Sequence, residues 1–307
     1  MSETADLSGF KPKQLPDLTG TKAVVTGANS GIGFHTAAAL VEHGAEVVLA
    51  CRNTEAGRDA AKKFKGVCTV EELDLASQTS IHEFVGRYDG SLDLLINNAG
   101  VMTPPKYRAT PEGHELQFGT NHLGHFALTG LLLPALLKSE TPRVVTVASV
   151  AHHRGDESVL EGNPQASYEP HRAYGNSKLA NLLFAFELSR RSAAASSKLV
   201  SVAAHPGVSA TNLVGSPDGM GANPIIRRTA PFFMPVIFQS SAAGANPTLW
   251  AATYGEPGSY VGPQWLMESR GRLGEAKASR HARNAGLARQ LWDISEAKTG
   301  VTFDLSQ

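Results

Sequence analysis

Tyr174 and Lys178 stand four residues apart in the stretch Tyr174-Gly175-Asn176-Ser177-Lys178, inside a pattern that predicts a helix from Arg172 to Arg191. Side chains at that separation share one helix face. A free phenol titrates at about 10 and is a poor proton carrier at neutral pH. A neighbouring ammonium favours the phenolate and draws the titration toward the working range. The pair could therefore move a proton, although tyrosine and lysine also meet at this spacing by chance on ordinary helices. Tyr168 with Arg172 repeats the spacing, but beside Pro170 and without a secured helix face, so Tyr174 is preferred.

A second chemistry is written in the turn Gly27-Ala28-Asn29-Ser30-Gly31-Ile32-Gly33. It follows a strand-like run and opens a helix-like one. Glycines there let the backbone turn tightly and approach a pyrophosphate, and the helix N-terminus supplies free N–H groups and partial positive charge. A plain strand-to-helix connector is the other reading. Downstream, a carboxylate about 20 residues on would bind the 2′-hydroxyl of NAD. The sequence instead places Ala50-Cys51-Arg52-Asn53 there, with Arg52 19 positions after Gly33. A guanidinium can clamp a 2′-phosphate through paired hydrogen bonds, which points to NADP(H), unless Arg52 is a solvated surface residue. Cys51 at the acidic position reads as a small apolar side chain.

Strands must deliver these residues to one edge. Apolar runs at 22–27, 45–51, 66–75, 91–100, 143–149 and 198–207 alternate with helical patterns at 31–43, 54–65, 77–88, 111–138 and 172–191. That order predicts an α/β protein: one doubly wound parallel sheet (Rossmann fold) covered on both faces, with ligands outside the carboxyl ends of the strands. The division is a leader over 1–20 and a single domain over 21–307. A tail helix near 275–297, carrying Trp292, is expected to close the fold near the sheet edge.

The GxxxGxG spacing, Asn97-Asn98-Ala99-Gly100 and Tyr174-x-x-x-Lys178 together resemble the short-chain dehydrogenase/reductase family over about residues 15–305. The stretches TGANSGIG, LACRN, NHLGHF, YGNSKLANLLF and HPGV resemble its retinol dehydrogenase-like branch, which includes relatives of protochlorophyllide reductase. The resemblance implies a catalytic tetrad of Asn121, Ser149, Tyr174 and Lys178. Ser149 would stabilise charge developing on the substrate oxygen, or merely cap a strand end. Asn121, an unfavourable residue inside a helix, would link through water to Lys178. Lys178 would also bond the nicotinamide ribose.

For the cofactor, the resemblance implies a site formed by Gly27, Asn29, Ser30, Gly31, Ile32, Gly33, Arg52, Asn53, Asp74, Leu75, Asn98, Ala99, Gly100, Tyr174, Lys178, Pro206, Gly207, Val208 and Thr211. Thr211 reads equally as a helix N-cap. The first role of Asn97–Gly100 is structural. The expected reaction interconverts carbonyl and alcohol on a small lipophilic substrate of retinoid, steroid or aromatic-aldehyde type. The apolar, proline-broken segment within 212–245 would be a lid, ordinary packing, a subunit contact or a membrane-surface contact. The polar stretch 150–173 reads as a loop insertion. A homodimer is among the assemblies the resemblance allows.

Composition narrows the rest. Lys plus Arg and Asp plus Glu each total 28, and a chain without net charge has no global field for nucleic acid. Two cysteines make neither a disulfide framework nor a zinc site. His122 with His125, and His152 with His153, lack a carboxylate at ligand spacing, so no metal is expected. The opening residues show no apolar signal or anchor, and a cytoplasmic protein is expected. A sensor that binds NADP(H) without turnover is the competing reading. An epimerase or dehydratase fits less well, because it would favour a different glycine spacing.

Overall fold

Runs of β-branched and small apolar residues form strands that are buried along nearly their whole length at the centre of the fold. They are β1 (Lys22–Thr26), β4 (Leu94–Asn97), β5 (Arg143–Val147) and β6 (Val200–Ala204). The computed structural model describes residues 6–207 and 239–306. Its eight-stranded sheet has the order β3-β2-β1-β4-β5-β6-β7-β8, completed by β2 (Glu46–Cys51), β3 (Cys68–Glu72), β7 (Tyr260–Trp265) and β8 (Arg270–Glu275). Seven strands are parallel; β8 returns antiparallel on β7. That last hairpin has no counterpart in the sequence reading. Its residues are rich in glycine and charge, carry Pro263, and sit at an edge where little burial is required.

The register aligns the strand ends: Thr26 pairs with Ala50, Asn97 with Thr146, and Val147 with Ala204. The winding reverses between β1 and β4, which leaves a crevice at their carboxyl ends. On one face α1 (Gly31–Glu42) and α2 (Thr54–Ala61) pack a core of Val25, Leu40, Leu49 and Ile96. On the other, α3 (Gln78–Arg87) contributes Ile81 and Phe84.

The expected helix over 111–138 is broken in a specific way. Gly113 turns with φ +84°, and Ala109 bridges to Glu115. The helical path begins only at α4 (Leu116–Phe118), capped by the buried carboxylate of Glu115, which accepts from Gln117 N and Phe118 N. A π-turn then spans Gly119–Leu123 before α5 (Gly124–Leu137). Asn121 therefore lies in a π-bulge rather than a regular helix, a setting common at functional sites.

α6 (Pro170–Ala194) starts at a proline in its first turn, with the Glu169 carboxylate capping His171 N and Arg172 N. The stretch before it is folded into short 3₁₀ turns rather than an open loop. α7 (Ser241–Thr253) packs on α1, with Ala245 and Leu249 in the core. So residues 241–245, counted with the lid by sequence, are core helix; residues 212–238 lie outside the described residues.

α8 (Ala285–Thr299) lies against α6 and α5. Trp292 stacks on Phe184 of α6 at 5.8 Å and 20°, meets Phe126 of α5 at 5.0 Å, and contacts Phe303 at 4.6 Å. The tail therefore closes the helical layer over the middle of the sheet, not the sheet edge. It also explains why α5 and α6 are buried all round over 116–130 and 175–185.

Candidate active site

At the cofactor end, the chain leaves β1 through Gly27 at φ +65° and enters α1 through Gly31 at φ +60°, a backbone region that favours glycine. A Cβ on Gly33 would lie 2.5 Å from both Gly27 O and Asn98 Nδ2, so close approach demands the third glycine. Ser30 stands at the N-cap of α1 but its hydroxyl caps no N–H. The first amides of this twelve-residue helix thus carry no side-chain cap, and a phosphate suits that place. Asn29 and Ile32 flank the turn, half-buried.

Side chains here hold backbone. Thr26 Oγ1 accepts from Asn98 N and Ala99 N, each at 2.9 Å, and Asn98 Nδ2 donates to Thr26 O at 2.7 Å. Asn97 Nδ2 donates to Thr129 Oγ1. The structural role expected for Asn97–Gly100 is what these bonds perform. Arg52 is exposed just past β2, while the Asn53 carboxamide caps α2 by accepting from Ala56 N. Cys51 is buried, its thiol pushed up by burial, consistent with an apolar role. Asp74 and Leu75 lie two and three residues beyond β3; the Asp74 carboxylate accepts from Ala76 N. Pro206 and Gly207 leave β6, Gly207 at φ +66°. Val208 and Thr211 lie outside the described residues. The turn and the uncapped amides fit the pyrophosphate of a dinucleotide.

At the chemical end the arrangement is inverted: backbone holds side chains. Lys178, 4% exposed, donates from Nζ to Val147 O at 3.0 Å, and Asn181 Nδ2 shares that carbonyl. No carboxylate pairs with Lys178 among the described residues, and burial pulls its ammonium down to about 8. Its Nζ lies 5.9 Å from the centre of the Tyr174 ring. Ser149 caps the following 3₁₀ turn by accepting from Ala151 N, and its hydroxyl lies near enough to the Tyr174 phenol to favour the phenolate. Burial pushes that phenol up to about 12, with Ser149 drawing it back down. The sequence reading had Lys178 lowering the Tyr174 titration. In the structure burial outweighs every opposing influence, and Lys178 is held on Val147 rather than on the phenol.

The Asn121 side chain is fully engaged. Its Oδ1 accepts from Val101 N at 2.8 Å, and its Nδ2 donates to Val101 O and to Ser177 Oγ at 2.9 Å. A Cβ on Gly100 would sit 3.0 Å from Asn121 Oδ1 and 3.7 Å from Lys178 Nζ. The structure thus brings Asn121, Ser149, Tyr174 and Lys178 to the carboxyl edge of β4 and β5, beside the loop Asn98–Gly100. Tyr168 is turned elsewhere, donating to Pro104 O.

Sequence reasoning weighed His122 and His125 only as metal ligands. Among the described residues no cluster of metal-ligating side chains forms. Each is instead a buried, hydrogen-bonded neutral ring, pulled down by burial to about 3 for His122 and about 4 for His125. The signal missed was spacing: His125 is four residues from Asn121, on the same helical face.

Residues 21–218 match the short chain dehydrogenase family profile. This chain belongs to the short-chain dehydrogenase/reductase family. Retinol dehydrogenase 14 of Mus musculus is 37% identical over 92% of the chain and 86% of its own length. Retinol dehydrogenase 13 of Mus musculus is 38% identical over 93% and 86%. A solved structure of an uncharacterized protein from Mycobacterium paratuberculosis is 41% identical, with a TM-score of 0.81 over 97% of this chain and all of that one. A serine dehydrogenase complexed with NADP+ shares the fold at 18% identity and a TM-score of 0.61, covering 76% of this chain and 89% of its own. This dehydrogenase/reductase is accordingly an oxidoreductase of the alcohol–carbonyl type, retinol dehydrogenase-like in sequence.

Proposed function

We propose that the protein is an NADP(H)-dependent carbonyl reductase or alcohol dehydrogenase acting on a small lipophilic substrate. The observation that carries this reading is the meeting of Tyr174, Ser149 and Lys178 at the edge of β5. When bound, the nicotinamide cofactor supplies or accepts the hydride. Tyr174, held protonated by burial, is an acid at neutral pH and gives its proton to the substrate oxygen. Ser149 donates a hydrogen bond to that oxygen as charge builds on it. Lys178 keeps positive charge beside the phenol and would hold the ribose hydroxyls of a bound cofactor. Asn121 contributes by position, clamping Val101 and Ser177.

The choice of NADP(H) rests on Arg52 standing where a carboxylate would select NAD. The lipophilic substrate class rests on the retinol dehydrogenase names of the relatives. We infer a cytoplasmic location from the free thiols of Cys51 and Cys68, which suit a reducing compartment. Among the described residues no helix is long and apolar enough to cross a membrane. A homodimer is part of this reading, as the family allows. NADPH consumption with a panel of hydrophobic aldehydes and ketones tests the reading. Turnover with NADPH exceeding that with NADH is expected. Bound NADPH with no turnover across the panel would favour the sensor.

A further inference from the structure

The ring of His125 joins the Thr26 hydroxyl to the Asn121 backbone, a link separate from the bonds that the Asn121 side chain makes to Val101. Its Nδ1 lies 2.9 Å from Asn121 O, and its Nε2 lies 3.0 Å from Thr26 Oγ1. A carbonyl only accepts, so Nδ1 carries the proton and Nε2 must accept. The Thr26 hydroxyl is the donor it faces; Ile96 O, at 3.2 Å, is the farther acceptor for that proton. The same Thr26 oxygen accepts from Asn98 N and Ala99 N. A continuous path therefore runs from the Asn98–Ala99 backbone through Thr26 and His125 to Asn121, and on through Ser177 to the helix bearing Lys178. His125 is 1% exposed and is braced from behind, with Thr129 Oγ1 donating to its carbonyl at 2.7 Å.

We propose that His125 is a positioning residue for the reaction: as the Nδ1–H tautomer it sets the distance between Thr26, on which the Asn98–Ala99 backbone hangs, and the Asn121 backbone, alongside the Asn121–Val101 bonds. This rests on the function proposed above. The tight packing at Gly100, with Asn121 and Lys178 both within 4 Å of a Cβ placed there, leaves that distance little slack. The π-turn gives the reason a tether is needed, because a bulged segment has weaker self-support than regular helix. The titratable groups that bear on His125 are Lys178 on α6 and His122 on its own segment. Both Lys178 and burial favour the neutral ring that the tether requires.

Two measurements test this. Nitrogen-15 NMR of histidine-labelled wild-type protein should show the His125 ring neutral and protonated at Nδ1 at neutral pH; an Nε2–H tautomer overturns the proposal, whatever the activity. His125→Phe keeps the volume and removes both bonds. It should lower kcat by about 10- to 100-fold, the scale of a misplaced catalytic group, while the KM for NADPH stays within about twofold. His125→Asn, which can still donate to Asn121 O but leaves Thr26 unbonded, should stay impaired in kcat. Unchanged kcat in His125→Phe, or full recovery in His125→Asn, overturns it. If His125→Phe fails to fold, the tautomer result decides. A wild-type protein that binds NADPH without any turnover would sink the function proposed above and leave the tautomer test standing.

Discussion

The two ends of the crevice are built on opposite terms. At the cofactor end, Thr26, Asn98 and Asn53 use their side chains to fix backbone, and what faces the ligand is main-chain N–H. At the chemical end, Val147 and Val101 use their backbone to fix Lys178 and Asn121, and what faces the substrate is side chain. The first end should therefore be sensitive to atoms added, and the second to functional groups removed.

The largest expected effect lies at the chemical end. Tyr174→Phe removes one oxygen from a packed phenol, and turnover should fall by about 10²- to 10⁴-fold, the range for loss of a general acid. NADPH binding, followed by fluorescence, should persist; retained turnover would break the assignment. The converse test is Gly33→Ala. Its Cβ would press on Gly27 O and Asn98 Nδ2 at 2.5 Å, which should weaken NADPH binding and lower stability by about 1–3 kcal/mol in urea unfolding. Wild-type affinity and stability in that variant would erase the asymmetry.

Arg52→Asp should shift the NADP/NAD preference by about 10- to 100-fold in kcat/KM, given the usual strength of hydrogen bonds to a charged group. An unaltered preference would remove the reason for choosing NADP. The remaining test is on pH dependence. His122, His125 and His152 are held neutral by burial, with folded values of about 3, 4 and 4 against an unfolded value of 6.5. The unfolded chain binds protons first, so stability should decline as pH falls from about 6.5 toward 4. Urea midpoints across that window check it, and a flat profile would show that these rings are not buried neutral.

Much of this contrast was legible in sequence, for a physical reason. Glycines, strand ends and the Tyr174–Lys178 spacing are local, and local spacing survives folding. The parallel sheet followed from apolar runs that must be covered on both faces. What could not be read was non-local. That Glu115 caps α4, that a π-turn bears Asn121, and that Lys178 rests on Val147 depend on groups tens of residues apart. The Tyr174 titration went the other way because spacing reports a neighbour and not burial. β8 escaped notice because an edge strand needs little apolar pattern. His125 is visible in sequence only as a possible ligand, because spacing to a carboxylate says nothing of a buried ring that bonds at both nitrogens.

The packing of Trp292 against Phe184 and Phe126 has a consequence for the order of events during synthesis. The segments bearing Asn121 and Tyr174 are complete at Ala194, about ninety residues before the helix that covers them begins at Ala285. Until residues 285–306 are available, α5 and α6 have the sheet behind them and an uncovered apolar surface in front. The catalytic corner is therefore a late product of folding, although every group in it is made early. In refolding, burial of Trp292, followed by its fluorescence with Trp250 and Trp265 replaced by Phe, should precede or coincide with the return of activity. Activity that returned first would contradict that order.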